Sequence, residues 1–275
     1  MATTVRSFIF LDRYRLIAIL CLIAFLNGTI GRIADGFRHQ DLTVFISNTL
    51  DISVIVWLSL AVGIWLVLRS PRIEPTSSDF PVVVLASVAI AIPVAPLSWL
   101  ALTLLSWNIV RTSPVGSNAH RGGWILLAVT IPMFWSRALF SLFSGAILNF
   151  DAMLVGWIVG TERIGNAIEF ADGSGQLWIA PSCSSFANVS LAVLCFALFL
   201  ETHECRRKSH YFGWAILAAA TVLAINVIRL SFIGLYSENF DLIHGAIGTT
   251  VANWLTVAAI FGIFAFGMRN DRLAI

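Results

Sequence analysis

Long apolar runs alternate with short polar breaks along this chain, and the run lengths set the expectation for the fold. Apolar residues dominate positions 16–33, 51–68, 81–110, 124–143, 183–200, 211–235 and 245–266. A helix of about 20 apolar residues crosses the hydrocarbon core of a bilayer, so each run except 81–110 predicts one crossing. That stretch is overlong for one helix and is interrupted by Pro93 and Pro96. It reads as one long crossing or as two short helices turning at the prolines. The first run follows a basic arm with Arg6, Arg13 and Arg15, without an evident small-residue cleavage site. It is expected to be a retained span rather than a removed signal peptide.

The pattern changes after the run at 124–143. Its apolar character is strongest before Pro132, and Arg137 follows. The helix is therefore expected to leave the membrane early and continue as an amphipathic interfacial segment over 147–159, with Phe150 and Trp157 at headgroup depth. Next, GNAIEFADGSGQLWIAP holds two strand-like runs, 166–170 and 176–180, around Asp172, Gly173, Ser174 and Gly175. This predicts a β-hairpin. The expected fold class is an all-α polytopic integral membrane protein, with a small extracytoplasmic amphipathic helix and β-hairpin ahead of the run at 183–200.

Composition agrees: 58% of residues are hydrophobic and only 12% charged, too apolar for one soluble core of this length. The net charge of +2 and the lack of a basic, aromatic-interleaved surface exclude nucleic acid as an expected partner. Charge also decides the reading of 81–110. With two crossings there, twelve of the seventeen basic residues face the cytoplasm; with one crossing the division is nine against eight. Positive residues concentrate on the cytoplasmic side of membrane proteins, which favours the hairpin, about eight transmembrane helices and both termini in the cytoplasm. Residues 1–121 then form about four N-terminal spans. Residues 122–275 form a second region that includes an extracytoplasmic segment, 144–182.

Four cysteines (Cys21, Cys183, Cys195, Cys205) show no CxxC pair and no metal-ligand spacing, so no metal and no organic cofactor is implied. Cys21 and Cys195 lie inside apolar runs, where cysteine acts as a small hydrophobe. Cys205 sits in a basic loop on the cytoplasmic side, where thiols stay reduced. Cys183, between Pro181–Ser182 and Ser184–Ser185, is expected in the first turn of a helix entering lipid. The unpaired N–H groups there favour a thiolate over a thiol.

The run at 211–235 brings Asn226 and Arg229 to the same side of the membrane, and His244 opens the last run there. A thiolate can attack a carbonyl, and an imidazole can take its proton and return one to a leaving amine. An arginine can stabilise the thiolate or an oxyanion. Asn226, three residues earlier on the same helical face, is placed to orient that guanidinium or to donate to the oxyanion. Each residue also has a plain structural reading: Cys183 as packing, Arg229 snorkelling to headgroups, His244 as a polar helix start. Residue types alone leave both readings open.

The order of these pieces resembles the exosortase and archaeosortase family. APSCSSF carries Cys183, NVIRL carries Asn226 and Arg229, and LIHGAIG carries His244. The resemblance extends to the proline-bearing run ILLAVTIPMF, the amphipathic stretch and the hairpin, covering roughly residues 122–267. The family's pattern around the cysteine is closer to ACSG, whereas Ser182 and Ser185 flank Cys183–Ser184 here. The resemblance implies a membrane-embedded cysteine protease or transpeptidase, analogous to sortases, in the cytoplasmic (inner) membrane of a prokaryote. Cys183 would be the nucleophile, Arg229 the electrostatic stabiliser and His244 the general acid and base, with Asn226, Ser184 and Ser185 in support. Its partner would be an exported protein with a C-terminal sorting signal made of a short motif, a transmembrane helix and a basic cluster. That protein would be cut at the outer face of the membrane and passed to an acceptor. The competing readings are a protease that only hydrolyses, and a noncatalytic transporter or assembly subunit for surface polysaccharide with Arg229 as an anion site.

Overall fold

A computed structural model describes residues 12–39, 42–47, 49–203 and 208–270. The basic arm up to residue 11, Asp41, the loop around Cys205, Arg206 and Arg207, and Arg272 lie outside the described residues. The chain is predominantly helical. In order come α1 (Arg13–His39), α2 (Leu42–Ser47), α3 (Val54–Leu68), α4 (Asp79–Ala91), α5 (Ala95–Thr112) and α6 (Asn118–Thr130). A π-helical turn, Ile131–Trp135, leads to α7 (Ser136–Val159) and then to β1 (Arg163–Ile164), β2 (Ala167–Glu169) and β3 (Gln176–Trp178). A 3-10 turn, Pro181–Cys183, precedes α8 (Phe186–Thr202), and α9 (Phe212–Leu235), α10 (Phe240–His244) and α11 (Ala246–Gly267) complete the chain.

Among the described residues, four helical stretches are long and apolar enough to cross a membrane: Arg13–His39, Asn118–Val159, Phe212–Leu235 and Ala246–Gly267. Val54–Leu68, Asp79–Ala91 and Phe186–Thr202 are apolar but shorter. Bulky apolar side chains remain on the outside of these helices, as with Phe212, Ile216, Ile228 and Phe232 on α9. Lipid accepts such a face, and the closed hydrogen bonding of a helix suits it.

By internal contacts the chain divides into two discontinuous units, 1–32 with 60–127 and 33–59 with 128–275. In the first, α4 and α5 pack together and are joined by only three residues around Pro93. Asp79, opening α4, accepts a 2.8 Å hydrogen bond from Asn108 near the end of α5, so the two helices run antiparallel. Arg13 holds the same carboxylate, with Nε 2.8 Å from Asp79 Oδ2 and Nη2 donating to Oδ1. Thr76 adds its backbone N–H and its hydroxyl to Oδ2. A buried charge is tolerable when paired and hydrogen-bonded in this way.

In the second unit, α7 presents Leu148, Asp151, Ala152, Val155, Gly156 and Val159 inward, a spacing of three and four residues that forms one helical face. The helix does not stop at Pro132. The wider π turn, in which Ser136 N–H reaches the carbonyl of Ile131, absorbs the proline's missing donor. A bend follows at Phe143 (φ −121°, ψ 17°). The stretch 147–159 is thus the second half of α7, and it leaves Phe150, Met153 and Trp157 exposed.

The inward face of α7 meets a small antiparallel sheet in the order β1-β2-β3, with Ile168 opposite Leu177 and Arg163 opposite Ile168. Ile168, Leu177, Ile179 and Cys183 share one buried cluster with Val155, Val227, Leu230 and Ile233. Gly234 of α9 lets this layer close, because a Cβ there would lie 2.8 Å from Val159 Cγ2 and 3.2 Å from Ile168 Cδ1. Gly234→Ala is expected to lower stability by about 1–3 kcal/mol, seen as a lower midpoint in a thermal unfolding scan of the detergent-solubilised protein.

The turn after β2 is also tied to α9. Ala171 N–H donates to the Gly234 carbonyl at 2.9 Å, and Ser237 donates to Asp172 Oδ2 at 2.5 Å. The Ser174 N–H donates to Asp172 Oδ1. Hydrogen bonds from Ser174 and then Ser237 hold the Asp172 carboxyl down at about 2. A depressed carboxyl favours the folded arrangement above its unfolded value of about 4 and loses that preference as the pH falls toward 2. Hydrogen exchange at the Ala171 amide, corrected for its intrinsic rate, should accelerate between about pH 4 and pH 2, and Asp172→Asn should remove that pH dependence.

Candidate functional site

Helices α8, α9 and α11 pack against one another, and the cysteine, arginine and histidine meet at one end of them. Cys183 stands just before α8, Arg229 is in the last two turns of α9, and His244 closes α10 just ahead of α11. The Cys183 sulfur lies 3.3 Å from His244 Nε2, within reach for proton exchange between thiol and imidazole. The histidine ring stacks on Phe240 one turn earlier, at 4.9 Å between centroids and 11° between planes, which fixes the ring's plane.

Cys183 departs from its expected position in the first turn of the helix. Pro181 initiates a 3-10 turn in which Cys183 N–H bonds to Ala180 O at 2.9 Å. Ser184 is extended (ψ 138°), and α8 begins only at Phe186. The amide of Phe186 is taken by the Ser184 hydroxyl at 3.2 Å, and that of Ser185 by Asp151. Cys183 thus stands outside α8, separated from it by Ser184 and Ser185. It is a nearly buried residue, 5% exposed, walled by the apolar cluster of α7, α9 and the sheet.

Arg229 uses its fork on the turn that carries the histidine. Nε and Nη2 donate to the Ile243 carbonyl at 3.3 and 3.1 Å, and Nη2 donates to Thr249 Oγ1 at 3.0 Å. The Thr249 hydroxyl in turn donates a hydrogen bond to the His244 carbonyl at 3.1 Å. Asn226 does not orient the guanidinium. Its side-chain amide, buried on α9, donates 2.7 Å to the carbonyl of Cys183 itself.

Two groups with a part in this arrangement escaped the sequence reading. Asp151, 1% exposed on the inward face of α7, accepts a 3.1 Å bond from the Ser185 N–H and another from the Ser185 hydroxyl. It anchors the turn bearing Cys183 at Ser185, two residues on from the carbonyl that Asn226 holds. A lone acid in the apolar stretch ILNFDAML was the available signal, since a carboxylate among apolar residues needs a defined partner. The other is Thr249, which no pattern distinguished. Among the described residues no group of three or more histidine, cysteine, aspartate or glutamate side chains could hold a metal ion.

Comparison with known proteins returns nothing: no family model, curated protein or solved structure matches the chain.

Proposed function

We propose that the chain is a membrane-embedded cysteine transpeptidase of the kind its APSCSSF, NVIRL and LIHGAIG segments resemble, the exosortases and archaeosortases. The observation that carries the reading is the 3.3 Å approach of the Cys183 sulfur to His244 Nε2, with an arginine holding the histidine's turn. The helices would make about eight crossings of a prokaryotic inner membrane, with both termini in the cytoplasm and this cluster at the outer face. The client would be an exported protein with a C-terminal sorting signal, whose transmembrane helix enters laterally from lipid.

Chemically, His244 Nε2 takes the thiol proton and the sulfur attacks the peptide carbonyl carbon, forming a tetrahedral oxyanion. Arg229 supplies positive charge beside that oxyanion. Collapse breaks the C–N bond, the leaving amine takes the proton from the imidazolium, and a thioester remains on Cys183. An acceptor amine or hydroxyl, or water, then attacks the thioester, gives its proton to His244 and restores the thiol.

The test is to trap the intermediate. In cells quenched rapidly in acid, mass spectrometry of the Cys183 peptide should reveal an acyl adduct that neutral hydroxylamine removes. A Cys183 peptide found only as the free thiol in cells exporting clients would overturn the proposal. An acceptor attached to the product would separate transfer from hydrolysis.

A further inference from the structure

We infer that Asp151 is a positioning residue for the Cys183 nucleophile: through Ser185 it fixes the direction in which the turn 181–185 points the sulfur at His244. This deepens the proposed function and rests on it, because the part assigned to Asp151 concerns that same thiol–imidazole pair. The histidine is held on its own side, where Arg229 of α9 and Thr249 of α11 grip the Ile243 and His244 carbonyls. The cysteine's turn needs a matching hold. Its internal bonds, from Cys183 N–H to Ala180 O and from Ser184 N–H to Pro181 O, keep its shape but run within the turn itself.

Two side chains from other helices tie the turn down. Asn226 of α9 donates to Cys183 O at 2.7 Å. Asp151 of α7 receives both donors of Ser185, the N–H at 3.1 Å from Oδ2 and the hydroxyl at Oδ1. The first bond alone is a pivot. Ser184 is extended and α8 starts only at Phe186, so the segment could swing about the Asn226 amide and carry the sulfur off His244 Nε2. The second hold, two residues on and from a different helix, removes that freedom. The 3.3 Å contact between sulfur and Nε2 has little slack, since about 1 Å more would break it.

Packing does not account for the carboxyl. Asp151 is buried on the α7 face that also presents Leu148, Ala152 and Val155 to the apolar cluster around Cys183. Ile147, Phe150, Phe186 and Leu223 wall the space beside the Asp151–Ser185 pair. An apolar side chain would suit those neighbours better, because a carboxyl in such surroundings is costly without a defined partner. Here the partner is one residue with two donors, and the two oxygens of a carboxyl group match them.

Positioning is read without any client. The full chain in lipid nanodiscs carries Cys21→Ala, Cys195→Ala, Cys205→Ala and His244→Cys, which leaves thiols at positions 183 and 244 alone. Dibromobimane alkylates one thiol and then bridges to a second within reach. The ratio of bridged to singly alkylated protein, from mass spectrometry, therefore reports alignment rather than access. With Asp151 in place the bridged product should dominate. Asp151→Leu should lower the ratio about tenfold, as loss of one or two hydrogen bonds implies. Asp151→Asn should keep it within about twofold of the parent, because Oδ1 can accept from the Ser185 N–H while Nδ2 donates to the hydroxyl. Should Asp151→Leu fail to insert, Ser185→Ala, which spares the N–H bond, should lower the ratio about threefold. Gly234→Ala, destabilising in its own right but without a bond to this turn, should leave the ratio within about twofold. Four results would overturn the inference: an unchanged ratio in Asp151→Leu or in Ser185→Ala, a fall in Asp151→Asn as deep as in Asp151→Leu, an equal fall in Gly234→Ala, or no bridge with Asp151 in place. No acyl transfer occurs in this experiment, so those results are distinct from failure to find an acyl adduct on the wild-type cysteine.

Discussion

Cys183→Ala is expected to lower client processing by at least about a thousandfold, because no other nucleophile replaces the sulfur. The fold should survive. The side chain removed is small, and the bond from Asn226 goes to the backbone carbonyl of residue 183, which alanine retains. The cost in stability should be on the order of 1 kcal/mol. Processing is read from the accumulation of full-length client in membranes, and folding from the thermal midpoint and the amount of inserted protein. A transporter or scaffold would hardly register the change. A variant that inserts normally and still cleaves its client would remove the cysteine from the mechanism.

Gly248→Ala should be nearly as damaging although residue 248 touches no reacting atom. A Cβ at this position would lie against the Ile243 carbonyl oxygen, 2.6 Å from its carbon and 2.7 Å from its Cα. These are backbone atoms, so no rotamer change relieves the clash, and the junction between α10 and α11 must open. Ile243 is the carbonyl gripped by Arg229, and the next residue is His244. A displacement of about 1 Å at a reacting group can cost on the order of a hundredfold in rate, and forced overpacking costs about 1–3 kcal/mol of stability. Gly262→Ala, in the same helix with nothing within 4 Å of the added carbon, is the control and should be close to neutral. The two variants are compared by processing rate and by thermal midpoint. Equal behaviour would mean that the α10–α11 junction does not position the histidine.

Much of this was legible because run length and order are one-dimensional properties. The apolar runs announced a helical protein with membrane-length segments, and antiparallel succession placed residues 183, 229 and 244 at a common end. Hydrogen-bond partners were not legible. Asn226 and Arg229 share a helical face, which suggested that the amide orients the guanidinium or donates to an oxyanion. Whether an amide meets a guanidinium or a backbone carbonyl depends on the neighbouring turn, and here it meets Cys183 O. The serines after the cysteine gave no hint that Ser184 would be extended and delay the helix to Phe186. Asp151 lay 34 residues from its partner, a separation that no local pattern encodes.

The near-total burial of the Cys183 sulfur has a consequence for timing. With 5% of the residue open and the Phe240–His244 pair stacked beside it, a polypeptide carbonyl cannot arrive without displacing something. No residue of the short helix α10 is fully buried; Phe240 and Ile243 rest against the core cluster and Arg229 holds the Ile243 carbonyl, so these are the contacts that an opening of α10 gives up. Its excursions would admit the client before any bond is made, so small alkylating agents should reach the thiol readily while bulky ones wait on the door.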